Sequence, residues 1–349
     1  MDDYLNQVNQ PQESPVLPQD DEAVVKTAKK AYSRSLLNLV LYGIIGELLV
    51  IILVAVCGSR YDSMSMNVKY LINFLPMYFI AFPIYLLLSK PMEKLPPEKH
   101  SMKFGQFLIV FMMSEGIAIT GSLIGTFLTT FLTLLFHIDT SSSLLEDGVL
   151  GEGQLVFSVM AVLFAPVIEE LLFRKVLIDR IRKYGDGTAI LISGIFFGLF
   201  HGNLTQFFYA AGLGMLFAFI YVRTGKVQYT IGLHMCINFL GSVVSAFVLK
   251  NIDLDSIVEA LESMNIDALF AQMSSLVPLF IYEIIIYSVA IAGVVLLIVN
   301  RKKFRVAPPT VAIQKGKHAK AAWVNFGVIA MLVYCVLLFI FQIISQMSE

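Results

Sequence analysis

Apolar residues along this chain gather into long unbroken runs, and polar residues are largely confined to the stretches between them. The runs lie at roughly 36–58, 69–89, 106–136, 154–178, 188–201, 207–222, 229–249, 276–300 and 322–346. A helix rises about 1.5 Å per residue and the hydrocarbon core of a bilayer is about 30 Å thick, so about 20 apolar residues cross it. Most of the runs meet that length. Transmembrane β-strands would show segments of about ten residues with alternating character, and these runs do not alternate. The pattern predicts an all-α polytopic membrane bundle of about nine transmembrane helices over residues 35–349. Residues 1–34 carry Pro11, Pro15, Pro18, several glutamines and six acidic residues. They show no helical apolar stripe, which predicts a disordered cytoplasmic tail. Acids ahead of the first apolar run also do not fit a signal peptide.

Two stretches depart from simple spans. The run Thr188–His201 has 14 residues, about 21 Å of helix, which is less than the hydrocarbon thickness. It is expected to stop inside the membrane, with Gly202-Asn-Leu-Thr-Gln206 forming a polar turn at depth, where protein or a wet cavity must satisfy its backbone. Segment 250–275 puts Leu254, Ile257, Val258 and Leu261 on one helical face and Asp255, Glu259 and Glu262 elsewhere, the pattern of an interfacial helix.

Composition and charge sharpen this picture. Apolar types make up 57% of the chain and charged residues 15%, against about 45–50% and about 25% in soluble domains, and the mean hydropathy is +0.76. A net charge of −1 gives no basic excess for a nucleic-acid backbone, so nucleic acid is excluded as a partner. Cys57, Cys236 and Cys335 lie in apolar stretches without CxxC spacing, which indicates neither disulfides nor a thiolate metal site. Basic residues fall in alternate loops: Lys90, Lys94, Lys99 and Lys103; Arg180, Arg182 and Lys183; Arg223 and Lys226; then Arg301 to Lys320. Segment 138–152 holds Asp139, Glu146, Asp147 and Glu152 with no Lys or Arg. Because Lys and Arg accumulate on the cytoplasmic side, the expectation is a multi-pass protein of the cell membrane with its N-terminus cytoplasmic and its C-terminus outside.

Charged groups inside a membrane cost about 2.5–3.5 kcal/mol even on lenient scales, so each is a functional candidate. Glu47, Glu115 and Glu283 stand alone in apolar helices, and a protonated acid bonded to a neighbouring helix accounts for each. Gly121-Ser-Leu-Ile-Gly125 is a GxxxG match more in keeping with internal packing than with dimerisation. One cluster is denser: Glu169-Glu170-Leu-Leu-Phe-Arg174, Phe197-Gly-Leu-Phe-His201 and His234-Met-Cys-Ile-Asn238 lie on three segments. Glu170 and Arg174 are i,i+4 and can pair, as are His234 and Asn238, which share one face. Glu169 is turned about 100° from Glu170 and is left without a helix-internal partner. His100, His137 and His318 sit in or near loops and are left out of the site.

A carboxylate beside a histidine can deprotonate water, and a second histidine with an asparagine amide can donate to a developing oxyanion. The set suffices for peptide-bond hydrolysis without a Ser or Cys nucleophile. In order and spacing, these motifs resemble those of the CPBP family, the CAAX-protease and bacteriocin-processing intramembrane endopeptidases also called Abi proteins. The resemblance covers roughly residues 155–245, and it implies a core of about eight helices and hydrolysis of a membrane-associated peptide or protein within the lipid bilayer. It also implies that Glu169 and His201 activate water, that His234 and Asn238 form the oxyanion hole, and that Glu170, Arg174 and Phe197 support them, with no cofactor. The active site is expected to open to the cytoplasm. Two alternatives stand beside this. Glu169, His201 and His234 are also acceptable zinc ligands, although no HExxH pair is present. A non-catalytic immunity or transport protein is the other, although transporters tend to carry internal repeats and no second copy of the cluster is found.

Overall fold

A computed structural model describes residues 21–136, 151–250, 252 and 254–347. Among them there are helices and no strands. In chain order the helices are α1 Asp21–Cys57, α2 Met66–Ser89, α3 Phe104–Phe136, α4 Gln154–Tyr184, α5 Asp186–Phe200 and α6 Leu204–Thr224. They continue with α7 Val227–Leu249, α8 Leu254–Glu262, α9 Ile266–Asn300, α10 Lys315–Trp323 and α11 Phe326–Met347. Eight of them are long and apolar enough to cross a membrane, and α5 is a shorter apolar helix of 15 residues. The protein is an all-α polytopic membrane bundle.

Two expectations need adjustment. Helix α1 begins at Asp21, so residues 21–34 are not tail; residues 1–20 lie outside the described residues. The reason is a stripe that hydropathy underweights: Ala28, Tyr32, Leu36 and Leu39 recur at helical spacing and are fully buried against α10 and α11. Segment 250–275 divides at a turn in which Met264 takes a φ of 50°; α8 ends before it, and residues 266–275 open α9. A 35-residue helix is about 52 Å long, so α9 outreaches the hydrocarbon and carries its first turns beyond it. Of the acidic segment 138–152, residues 138–150, with Asp139, Glu146 and Asp147, lie outside the described residues.

Close backbone packing holds the centre together. Helices α5 and α6 form a hairpin whose contact surface is glycine: a methyl on Gly198 would sit 2.8 Å from the Phe207 carbonyl oxygen. The Gly121/Gly125 pair faces α6, where added methyls would lie 2.5 Å from Tyr209 N and 2.4 Å from Thr205 O. That pair therefore packs inside the bundle. One apolar core joins α1, α2, α4, α5, α6, α10 and α11, and a second joins α3, α6 and α7. Helix α6 belongs to both, which makes it the spine of the molecule.

The turn between α5 and α6 is satisfied from within. Asn203 caps α6 by accepting from Gln206 N at 2.7 Å, and its amide nitrogen donates to His201 O at 3.2 Å and to Gln206 Oε1 at 3.0 Å. Such self-bonding is what a polar turn needs where water is scarce.

All four basic loops meet at one end of the bundle. Lys183 pairs with Glu93, Lys226 Nζ donates to Ser101 Oγ at 2.9 Å, and His100 N donates to Thr224 O at 2.8 Å while Val311 N donates to Lys183 O at 2.9 Å. At that end Arg180 donates twice to Ser89 O, at 3.0 and 2.7 Å, fixing α4 to the end of α2.

Candidate active site

Helix α4 is wound irregularly where its chemistry lies. Residues Met160–Phe164 and Leu171–Val176 take the wider π form, leaving six α-helical residues, Ala165–Glu170, between them. Pro166 has no N–H to give to the preceding turn, which is one cause of the first widening. Wide turns of this kind recur at functional sites.

Glu170 sits at the centre of a closed polar network. Its Oε2 lies 3.0 Å from Arg174 Nε, and both side chains are fully buried. Its Oε1 lies 3.1 Å from His234 Nδ1, so α7 is tied to α4 through the ring. Thr230, one turn before His234, places its hydroxyl beside the same carboxylate. The Arg174 guanidinium stacks over Phe197 at 4.3 Å from the ring centroid, and its two terminal nitrogens have no hydrogen-bond partner among the described residues. A buried charge held by an opposite charge, a ring face and a histidine is costly to disturb.

Glu169 is placed differently. Its side chain keeps 28% of its surface exposed, and its Oε2 lies 3.8 Å from His234 Nε2. That oxygen has no hydrogen-bond partner among the described residues. Although the two glutamates are turned about 100° from each other on α4, both face His234. An imidazole carries its nitrogens on opposite edges, so one ring between two carboxylates can meet both.

His201 and His234 flank the same ring. Phe197 makes an edge contact with His201 at 4.9 Å and with His234 at 5.8 Å between centroids. His201 Nδ1 meets the Phe197 carbonyl at 2.8 Å, which fixes the ring through that nitrogen, and Glu169 and His234 are both within electrostatic reach. Asn238 lies one turn beyond His234 on the α4-facing side of α7, where its amide nitrogen donates to Ala161 O at 2.8 Å. The structure thus joins Glu169, Glu170, Arg174, Phe197, His201 and His234 into one cluster, with Asn238 a turn away and held to α4. Among the described residues no group of three or more His, Cys, Asp or Glu side chains is placed to hold a metal ion.

Thr230 was not anticipated, although Thr230, His234 and Asn238 mark i, i+4 and i+8 of one helix face. Residues Tyr42, Tyr78 and Tyr209, which approach Glu169 from α1, α2 and α6, were also missed. Tyrosines in an apolar run give no charge signal.

Residues 151–240 match the family described as type II CAAX prenyl endopeptidase, Rce1-like. The chain is also 31% identical over 81 residues to a Bacillus subtilis (strain 168) protein named "Putative membrane peptidase YdiL", a match that takes in 23% of this chain and 33% of that one. The chain therefore aligns with about a third of the length of this curated relative. No solved structure matches the chain. The similarity to the CAAX-protease, or CPBP, family thus lies in residues 151–240, the segment that holds Glu169, Glu170, Arg174, His201, His234 and Asn238.

Proposed function

We propose that this protein is an intramembrane endopeptidase that hydrolyses a peptide bond of a membrane-associated peptide or protein, using water activated by Glu169. The observation that carries the reading is the division between neighbouring carboxylates: Glu170 is fully buried, ion-paired with Arg174 at 3.0 Å and held by His234 at 3.1 Å, whereas Glu169 keeps 28% of its side-chain surface exposed, stands 3.8 Å from His234 and has no Lys or Arg ion pair among the described residues. An unpaired carboxylate in a low-dielectric site is a base awaiting a proton donor. His201, fixed at Nδ1 by a carbonyl, presents Nε2 to hold and orient the water. Glu169 takes the water's proton, the hydroxide adds to the carbonyl carbon, and the same proton then passes to the leaving amine.

The oxyanion formed in that step needs donors. Asn238 gives one N–H to Ala161 O and keeps the other. His234 donates Nδ1–H to the Glu170 carboxylate, so a neutral ring offers a lone pair at Nε2. Its oxyanion role therefore requires a ring that carries both protons. Zinc is not needed for any of these steps. The site is proposed to open toward the basic, cytoplasmic end: His234 lies seven residues into α7 from Val227, about 10 Å of helix, and α7 starts next to the basic loops.

The test is to incubate purified wild type and Glu169→Gln with membrane-spanning peptides in ¹⁸O-labelled water and to identify products by mass spectrometry. Wild type should yield two fragments, the new carboxyl group carrying one labelled oxygen, and Glu169→Gln should yield none. Equal cleavage by both would overturn the reading.

A further inference from the structure

Glu169 is approached by phenols contributed from three helices. Tyr42 of α1, Tyr78 of α2 and Tyr209 of α6 all stand within electrostatic reach of its carboxylate. Two of these helices lie outside the matched residues 151–240. The rings are clamped in place. Tyr42 stacks on Phe200, the neighbour of His201, at 6.1 Å and 21°, and Tyr78 stacks on Phe164 of α4 at 6.4 Å and 8°. The α6 backbone at Tyr209 is pressed against Gly121 of α3. Tyr42 is 2% and Tyr78 8% exposed, no bond from any of the three hydroxyls to a protein atom is found among the described residues, and none of the three oxygens is among the sealed, unpartnered polar atoms, so each hydroxyl reaches accessible space.

Three other tyrosines are bonded within the protein. Tyr85 donates to Leu172 O at 3.4 Å, Tyr221 to Asp179 Oδ1 at 2.6 Å, and Tyr282 to Leu240 O at 3.0 Å. Buried hydroxyls are bonded as a rule, because an unmet donor in an apolar medium is costly. Three hydroxyls around one carboxylate that make no protein bond among the described residues and open to accessible space point instead to an external partner.

We infer that Tyr42, Tyr78 and Tyr209 are positioning residues that hydrogen-bond the backbone carbonyls of the substrate on either side of the scissile bond. This rests on the endopeptidase reading above. A membrane peptide must unwind to be cut, and unwinding frees carbonyls that the bilayer cannot satisfy. Phenols are suited to meeting those carbonyls because they donate without charge, so they neither pair with Glu169 nor compete with its base role. The inference also gives α1 and α2 a part in the site that the family match does not supply.

The experiment measures steady-state cleavage and thermal unfolding for Tyr42→Phe, Tyr78→Phe, Tyr209→Phe and the triple variant. Tyr85→Phe and Tyr282→Phe serve as comparisons. Each single collar variant should raise KM about three- to tenfold, the effect of one neutral hydrogen bond, with kcat nearly kept, because the contact forms in ground state and transition state alike. Their unfolding temperatures should match wild type, since no bond within the protein is lost. Tyr85→Phe and Tyr282→Phe should instead lower the unfolding temperature and leave KM alone. A triple variant with wild-type KM, or collar variants destabilised as much as Tyr85→Phe, would overturn the inference while leaving the protease reading intact. Failure of the wild type to cleave any peptide overturns the protease reading itself and this inference with it.

Discussion

The two faces of α7 bury carboxylates of neighbouring helices in opposite ways. Toward α4, Thr230 and His234 close around Glu170, whose second oxygen meets Arg174. Toward α3, Cys236 lies near Glu115, which is 4% exposed and has an oxygen, Oε1, with no hydrogen-bond partner among the described residues. By the cost of burying charge alone, Glu115 and Glu170 look equally significant. The difference teaches that burial marks a candidate, while a network of unlike partners marks a site. On the α4 face a cation, a histidine and a second carboxylate converge, and on the α3 face no cation among the described residues is in contact with the acid.

The largest effect should come from breaking the network at its cation. Arg174→Met strands Glu170 without a counter-charge, and removing one partner of a buried pair costs about 3–5 kcal/mol. Yield and unfolding temperature in detergent should both collapse, and cleavage with them. A variant as stable as wild type would show that the α4 face is no more tightly built than the α3 face.

On the other face, Glu115→Gln should change little. The amide is isosteric and no ion pair is lost, so the unfolding temperature should move by no more than a surface substitution does, about ±0.5 kcal/mol in stability, and kcat/KM should stay within about twofold. A tenfold loss of activity in this variant would join the α3 face to the catalytic machinery and erase the contrast.

A smaller effect tests the basic end, outside the membrane. His318 of α10 meets Tyr32 OH at 3.0 Å, and burial holds its proton affinity below the ordinary histidine value. A histidine whose folded pKa is lowered favours the neutral ring, so its contribution is complete above the unfolded value near 6.5 and is lost as pH falls below it. Unfolding temperature should therefore drop between pH 7 and pH 5, and His318→Gln should make that decline shallower. A steeper decline in the variant would reverse the assignment.

How much of this was written in the sequence follows from the kind of signal each residue gives. Continuous apolar runs located the membrane helices closely, and the 14-residue run ending at His201 announced the short α5. Helical spacing was enough to pair Glu170 with Arg174, because both lie on one element. The sharing of His234 by two glutamates was not legible, since it depends on how α7 docks against α4. The start of α1 was missed because Ala28 and Tyr32 bury without raising hydropathy, and the tyrosines around Glu169 were missed because they come from α1, α2 and α6, far apart in the chain.

The most direct test of the account compares the adjacent glutamates. Glu169→Gln and Glu170→Gln differ by one position in the chain, and both replace a carboxylate by its amide. Cleavage rate and unfolding temperature should be measured on both in the same detergent. The account predicts that Glu169→Gln abolishes cleavage at an unchanged unfolding temperature, whereas Glu170→Gln loses stability along with activity. Matching losses of stability in the two variants, or residual wild-type cleavage in Glu169→Gln, would contradict it.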